Sequence, residues 1–136
     1  MIQGSCVCKA VRYEAHGRLR DIVVCHCNEC RKMSGHFTAA TAVHAANLRL
    51  VDDSGLRWFR SSKGARRGFC SRCGSTLFWK PDAGDRVSIY AGSIDSTHQL
   101  KVSAHIFLNE KGTYYGIEQA QGVAVFPEGG ASLNVP

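Results

Sequence analysis

Cys25-His26-Cys27-Asn28-Glu29-Cys30 places three of the chain's seven cysteines within six residues. Core packing does not call for that density, whereas a metal bound by several thiolates does. The other four form two pairs, Cys6 with Cys8 and Cys70 with Cys73. Clusters of two, three and two divide into a complete set, Cys6, Cys8, Cys70 and Cys73, and an incomplete one, Cys25, Cys27 and Cys30. Zinc with four protein ligands is structural, and zinc with three and an open position is the usual catalytic arrangement. The expectation is two Zn2+ per chain, one holding the fold and one meeting a substrate.

Residues two apart in an extended segment face the same side, so Cys25 and Cys27 can meet one ion while His26 points away. Cys30 returns after a turn. Closing the long segment between Cys8 and Cys70 costs entropy that grows only slowly with length, and a structural zinc contributes on the order of 10 kcal/mol. The alternative is two structural sites, the second closed as Cys₃His by His26, His36, His44 or His105. An open three-thiolate zinc carries a net charge of about −1 and is a weak Lewis acid suited to a further soft ligand, so the expected substrate is a thiol. Arg31 and Lys32, beside Cys30, moderate that charge, hold a substrate carboxylate, or are solvated surface charges.

Seven is an awkward count for a disulfide framework. Met1–Tyr13 lacks a signal-peptide pattern, so the thiols are expected to be reduced and the protein cytoplasmic. No apolar run suits a membrane-spanning helix. The formal charge of +6 suggests an acidic partner, but seven thiolates holding two Zn2+ lower it by three. Arg66, Arg67 and Arg72 then form only a small basic group around the Cys70–Cys73 knuckle, which argues against nucleic acid. A non-catalytic zinc module for nucleic acid or protein partners is the competing reading.

The length fits one domain. Short runs at Val11–Tyr13, Asp21–Val24, Phe37–Val43, Leu56–Arg60, Ser75–Trp79 and Val87–Ala91 read as strands, with weaker ones at His105–Leu108 and Thr113–Tyr115. Turn residues separate them at intervals of about ten residues, which predicts an all-β domain. Arg31–Gly35 reads as one helical turn stopped by glycine, and Arg66–Phe69 as a lead into the knuckle. The catalytic domain is expected to span residues 1–126, with 127–136 a flexible tail.

Taken together, Gly4-Ser-Cys6-Val-Cys8, Cys25-His-Cys27-Asn-Glu-Cys30-Arg-Lys32 with Gly35, Arg67-Gly-Phe69-Cys70-Ser-Arg-Cys73-Gly74-Ser75, Gly92-Ser-Ile-Asp95 and His105-Ile-Phe107 resemble the glutathione-dependent formaldehyde-activating enzyme family, which includes centromere protein V. The resemblance implies a zinc-binding β-tent fold of antiparallel sheets joined by zinc knuckles. It assigns Cys6, Cys8, Cys70 and Cys73 to the structural metal and Cys25, Cys27 and Cys30 to the catalytic one. It also implies a carbon–sulfur lyase activity adding glutathione, or a similar thiol, to formaldehyde or another small aldehyde. After Phe107 the chain departs from the family pattern. Tyr114-Tyr115-Gly116 and Gln119-Ala-Gln121-Gly122 stand where members often carry a tryptophan and a proline-containing segment.

Overall fold

The computed structural model describes residues 1–130 and 133–136. Two sheets form its framework. The smaller has three strands in the order β1-β2-β5, formed by Ile2–Ser5 (β1), Arg12–Ala15 (β2) and Leu48–Asp52 (β5). The larger uses Arg20–Cys25 (β3), Thr38–His44 (β4), Leu56–Ser62 (β6), Ala65–Cys70 (β7), Thr76–Pro81 (β8), Arg86–Tyr90 (β9), Val102–Ile106 (β10) and Ala124–Val125 (β11). Its spatial order is β11-β10-β3-β4-β9-β8-β7-β6. The expectation of purely antiparallel sheets needs correction, because β10 pairs in parallel with both β3 and β11. A long return from β9 brings β10 in beside β3 in the same direction, as parallel neighbours require.

Alternation gives the large sheet two different faces. One is apolar: Val43 pairs with Val87, Thr41 with Ile89, and Ile89 with Phe78. Tyr13, Val11 and Ala15 of the first hairpin pack with these residues in the core. The Tyr13 and Phe78 rings meet edge to face at 5.2 Å. Full burial of such a side chain is worth about 1.5–3 kcal/mol, so this interface contributes substantially to hydrophobic stabilisation. The opposite face presents Cys25, Thr38, Ala40, Tyr90, Ser88, Trp79 and Arg67 as neighbours across β3, β4, β9, β8 and β7.

The single α-helix among the described residues, Asn28–Ser34 (α1), starts earlier than the expected turn at Arg31 and takes Cys30 into its first turn. Cys27 is the reason: its sulfur accepts the Cys30 N–H at 3.3 Å and serves as N-cap, a role usually filled by Ser, Thr, Asp or Asn. Gly35 ends the helix at φ +84°, a left-handed conformation that favours glycine. Thr113–Tyr115, expected as a strand, is a turn. Its tyrosines pack their rings against His36 and His26, tilted or edge-on, instead of joining a ladder. In the C-terminal stretch, the carbonyls of Pro127 and Glu128 accept from the amides of Asn109 and Phe107. The Leu133 carbonyl accepts from both Arg20 and Arg86.

Candidate functional site

Seven sulfurs gather into two groups, Cys6, Cys8, Cys70 and Cys73 in one and Cys25, Cys27 and Cys30 in the other, with all sulfurs of a group within 4.8 Å of one another. All seven cysteines are free. In the first group Cys6 lies 3.6 Å from Cys8, and Cys8 lies 3.7 Å from Cys70. Four sulfurs at about 2.3 Å from a central ion stand about 3.8 Å apart, so the observed spacing and the all-thiol donor set both fit tetrahedral zinc.

Two tight turns build that group. The Cys6 amide donates to the Val11 carbonyl and the Val11 amide to the Cys6 sulfur, which folds the first turn back on itself. In the second, the Gly74 amide donates to the Cys70 carbonyl, and Gly74 takes φ +78°. Ser75 ties the two turns together: its hydroxyl accepts the Val7 amide and lies 3.2 Å from the Cys73 sulfur. Hydrogen bonds from the Ser75 side chain and backbone draw the Cys73 thiol down to about 5, toward the thiolate that a metal needs.

The second group sits where β3 runs into α1. Cys25 ends the strand, Cys27 caps the helix and Cys30 is buried in its first turn. Hydrogen bonds with Cys25 and Cys27 lower the Cys30 thiol pKa, and Thr38 and the Arg67 charge add to this against the cost of burial. Hydrogen bonding with Cys27 and Cys30 in turn raises that of Cys25. The three sulfurs are thus coupled, with Cys30 the one whose ionisation its neighbours favour.

None of the four candidate histidines joins this group among the described residues. His26 is wholly buried and turns both ring nitrogens away, Nδ1 to the Tyr115 hydroxyl at 2.5 Å and Nε2 to His105 Nδ1 at 2.9 Å. Burial, and then the neighbouring His105, His36 and Lys111, hold its pKa down at about 4, so the ring is neutral at pH 7. His36 bonds the Tyr114 hydroxyl, and His44 bonds Asp85 on the β4–β9 side. The Cys₃His alternative therefore finds no fourth ligand in these side chains.

Arg67 is the residue that sequence reasoning misplaced. The sequence groups it with Arg66 and Arg72 around the Cys70–Cys73 knuckle, yet it is only 2% exposed and reaches the other cluster. Its Nη2 donates to Glu29 Oε2 at 2.7 Å and approaches the Cys30 sulfur at 3.6 Å, while Nη1 donates to the Tyr90 hydroxyl at 2.5 Å. The signal lay in alternation along β7, where Ala65, Arg67 and Phe69 share one side. Arg31, by contrast, bonds Asn28 at the helix surface, and Lys32 is exposed. Removing the Arg67 head group leaves Tyr90 and half-exposed Glu29 without their donor. Arg67→Met should cost about 1–3 kcal/mol, read from the denaturant midpoint.

A cavity of about 100 Å³ opens beside Cys25 and Cys30, walled by Arg67, Tyr90, Trp79 and Arg20. Burial pushes the Tyr90 phenol up to about 12, so it keeps its proton near neutrality. The site combines clustered thiols, a buried guanidinium and a small partly apolar space, a combination suited to bringing sulfur and a small polar molecule together.

The sequence model described as glutathione-dependent formaldehyde-activating enzyme matches residues 1–110. The chain belongs to that family. A curated relative, an uncharacterized lyase of Schizosaccharomyces pombe, is 32% identical over 78 residues, covering 57% of this chain and 56% of the relative. The chain thus matches little more than half the length of that lyase. A crystal structure of a Rhodobacter sphaeroides protein shares the fold, with a TM-score of 0.60 at 22% identity over 71% of this chain and 91% of that one. No helix among the described residues is long and apolar enough to cross a membrane.

Proposed function

We propose that the chain adds a thiol, glutathione or a close analogue, to formaldehyde or another small aldehyde, a carbon–sulfur lyase-type reaction. The observation that carries this reading is the Cys25–Cys27–Cys30 cluster, three converged thiols with no fourth protein donor among the described residues, opening beside a small cavity and a buried arginine. In this reading Cys25, Cys27 and Cys30 hold a catalytic Zn2+, and Cys6, Cys8, Cys70 and Cys73 a structural one, within a β-tent domain of residues 1–126. The reduced thiols suit a cytoplasmic setting.

A zinc ion held by Cys25, Cys27 and Cys30 would supply a soft coordination position that favours the thiolate form of an incoming thiol. The chain's residues do the rest. The thiol sulfur attacks the carbonyl carbon, a C–S bond forms, and the π electrons of the C=O bond move onto oxygen. That oxygen takes up the proton the thiol gave up. Arg67, fixed by Glu29 and Tyr90, supplies a pre-oriented positive charge near the developing alkoxide, which avoids the cost of reorganising water. Tyr90 accepts from Arg67 and retains its own O–H as a neutral donor. The wall of Trp79 and Val23 limits water around the adduct.

The test is direct. Purified protein, glutathione and ¹³C-formaldehyde should give hydroxymethyl-thioether exchange in NMR faster than the uncatalysed mixture. Exchange at the uncatalysed rate, with two metals bound per chain, would rule this reaction out.

A further inference from the structure

The cavity beside Cys25 and Cys30 holds more positive charge than an uncharged aldehyde needs. Arg20 springs from β3, five residues before Cys25, and its guanidinium donates from Nη2 to the Ala40 carbonyl at 3.0 Å. Ala40 pairs with Val23, two residues short of Cys25. At about 3.3 Å per residue, this sets the guanidinium about 7 Å along the strand from the Cys25 position. The other donors of Arg20 also go to backbone carbonyls, of Asp21 and Leu133. Neither Arg20 nor its neighbour Arg86 has a carboxylate partner among the described residues.

Arg86 stands over the Trp79 ring at 5.6 Å and shares the Leu133 carbonyl. Burial, and then the Arg86 charge, lower the Arg20 pKa to about 10, which leaves it protonated at neutral pH. At the other wall Arg67 is already matched by Glu29, but its Nε is a buried donor with no partner. An unpaired guanidinium at one end and an unsatisfied N–H at the other call for a ligand with two oxygen-bearing ends. The cavity is only about 100 Å³, so the ligand is small.

We propose that this cavity takes a small aldehyde carrying a carboxylate, a two-carbon 2-oxo acid in the first instance, with its carboxylate on Arg20 and its carbonyl oxygen on the Arg67 side. The inference rests on the thiol–aldehyde reaction proposed above and names its substrate class. The reacting carbon then faces the cysteine cluster. Addition forms one C–S bond, moves the C=O π pair to oxygen and transfers the thiol proton there, giving a hemithioacetal that keeps its carboxylate; no redox partner is needed.

Trp79 in the cavity wall offers a readout independent of turnover. In a Trp58→Phe background, with both metals loaded, Trp79 is the remaining tryptophan. Glycolate, an unreactive two-carbon carboxylate, should change its fluorescence saturably, and ethylene glycol, the same size without charge, should not. Arg20→Gln should weaken glycolate binding at least about tenfold, the size of one charge-assisted hydrogen bond. Arg20→Lys, which keeps the charge, should recover part of it. With glutathione, the ratio of kcat/KM for glyoxylate to that for formaldehyde should fall at least about tenfold in Arg20→Gln. Turnover of formaldehyde with no Arg20-dependent glycolate signal would overturn the inference and leave the proposed reaction standing. An Arg20-dependent glycolate signal with neither aldehyde turned over would support the carboxylate site and overturn the reaction.

Discussion

Cys27→Ser should abolish thiol addition while leaving a folded protein. The two halves of that outcome have separate causes. Cys27 caps α1 through its side chain, accepting the Cys30 amide, and serine is among the preferred residues for that position. The helix start therefore survives. What is lost is one of the three thiols that converge at the helix mouth. Changing a group that merely orients a metal ligand costs about 10–100-fold in affinity or activity, and removing a ligand should exceed that range. Circular dichroism should match the unmutated protein, metal content should fall to about one zinc per chain, and the NMR exchange rate should drop to background. Full activity in this variant would remove Cys27 from the reaction.

Cys70→Ser should have the opposite profile, loss of the fold itself. Cys70 is fully buried, belongs to the main core and joins the turn at Cys6–Cys8 to the β7–β8 hairpin. A structural zinc contributes on the order of 10 kcal/mol, comparable to the whole stability of a typical domain, about 5–15 kcal/mol. A serine oxygen in the Cys70 position is a poor fourth donor among three thiolates and is buried without a designed partner. The variant should be unfolded or should melt far below the parent in a thermal scan. A strong chelator should drive the unmutated protein to the same state. A cooperative melt within a few degrees of the parent would show that the first cluster does not hold the fold.

The cysteine grouping could be read from sequence because thiol spacing is local and metal geometry is restrictive; two pairs and a triplet admit few divisions. Strands from Asp21, Phe37, Leu56, Ser75 and Val87 were equally legible, since alternation of β-branched and aromatic residues survives in isolation. For Arg67 alternation along β7 gives only its side of the sheet, because its burial is decided by Glu29 and Tyr90, which reach it from α1 and β9. A run such as Arg66-Arg67-Gly68 looks solvated until its partners are known. Arg20 was hidden for the same reason, as its guanidinium finds Ala40 through strand pairing and Leu133 from 113 positions away. The start of α1 was missed because cysteine is an uncommon cap. Thr113–Tyr115 misled because aromatic residues that favour strands equally favour stacking, and here His26 and His36 provide the rings.

The central claim is that the Cys25–Cys27–Cys30 cluster is the open one and receives a thiol. Cobalt in place of zinc tests it most directly, since its visible spectrum reports the sulfurs around it. With two cobalt ions bound per chain, glutathione should shift the absorption bands saturably, and the shift should vanish in Cys27→Ser while the bands of the Cys6–Cys8–Cys70–Cys73 cluster remain. A doubly loaded protein whose spectrum does not respond to glutathione would contradict the account.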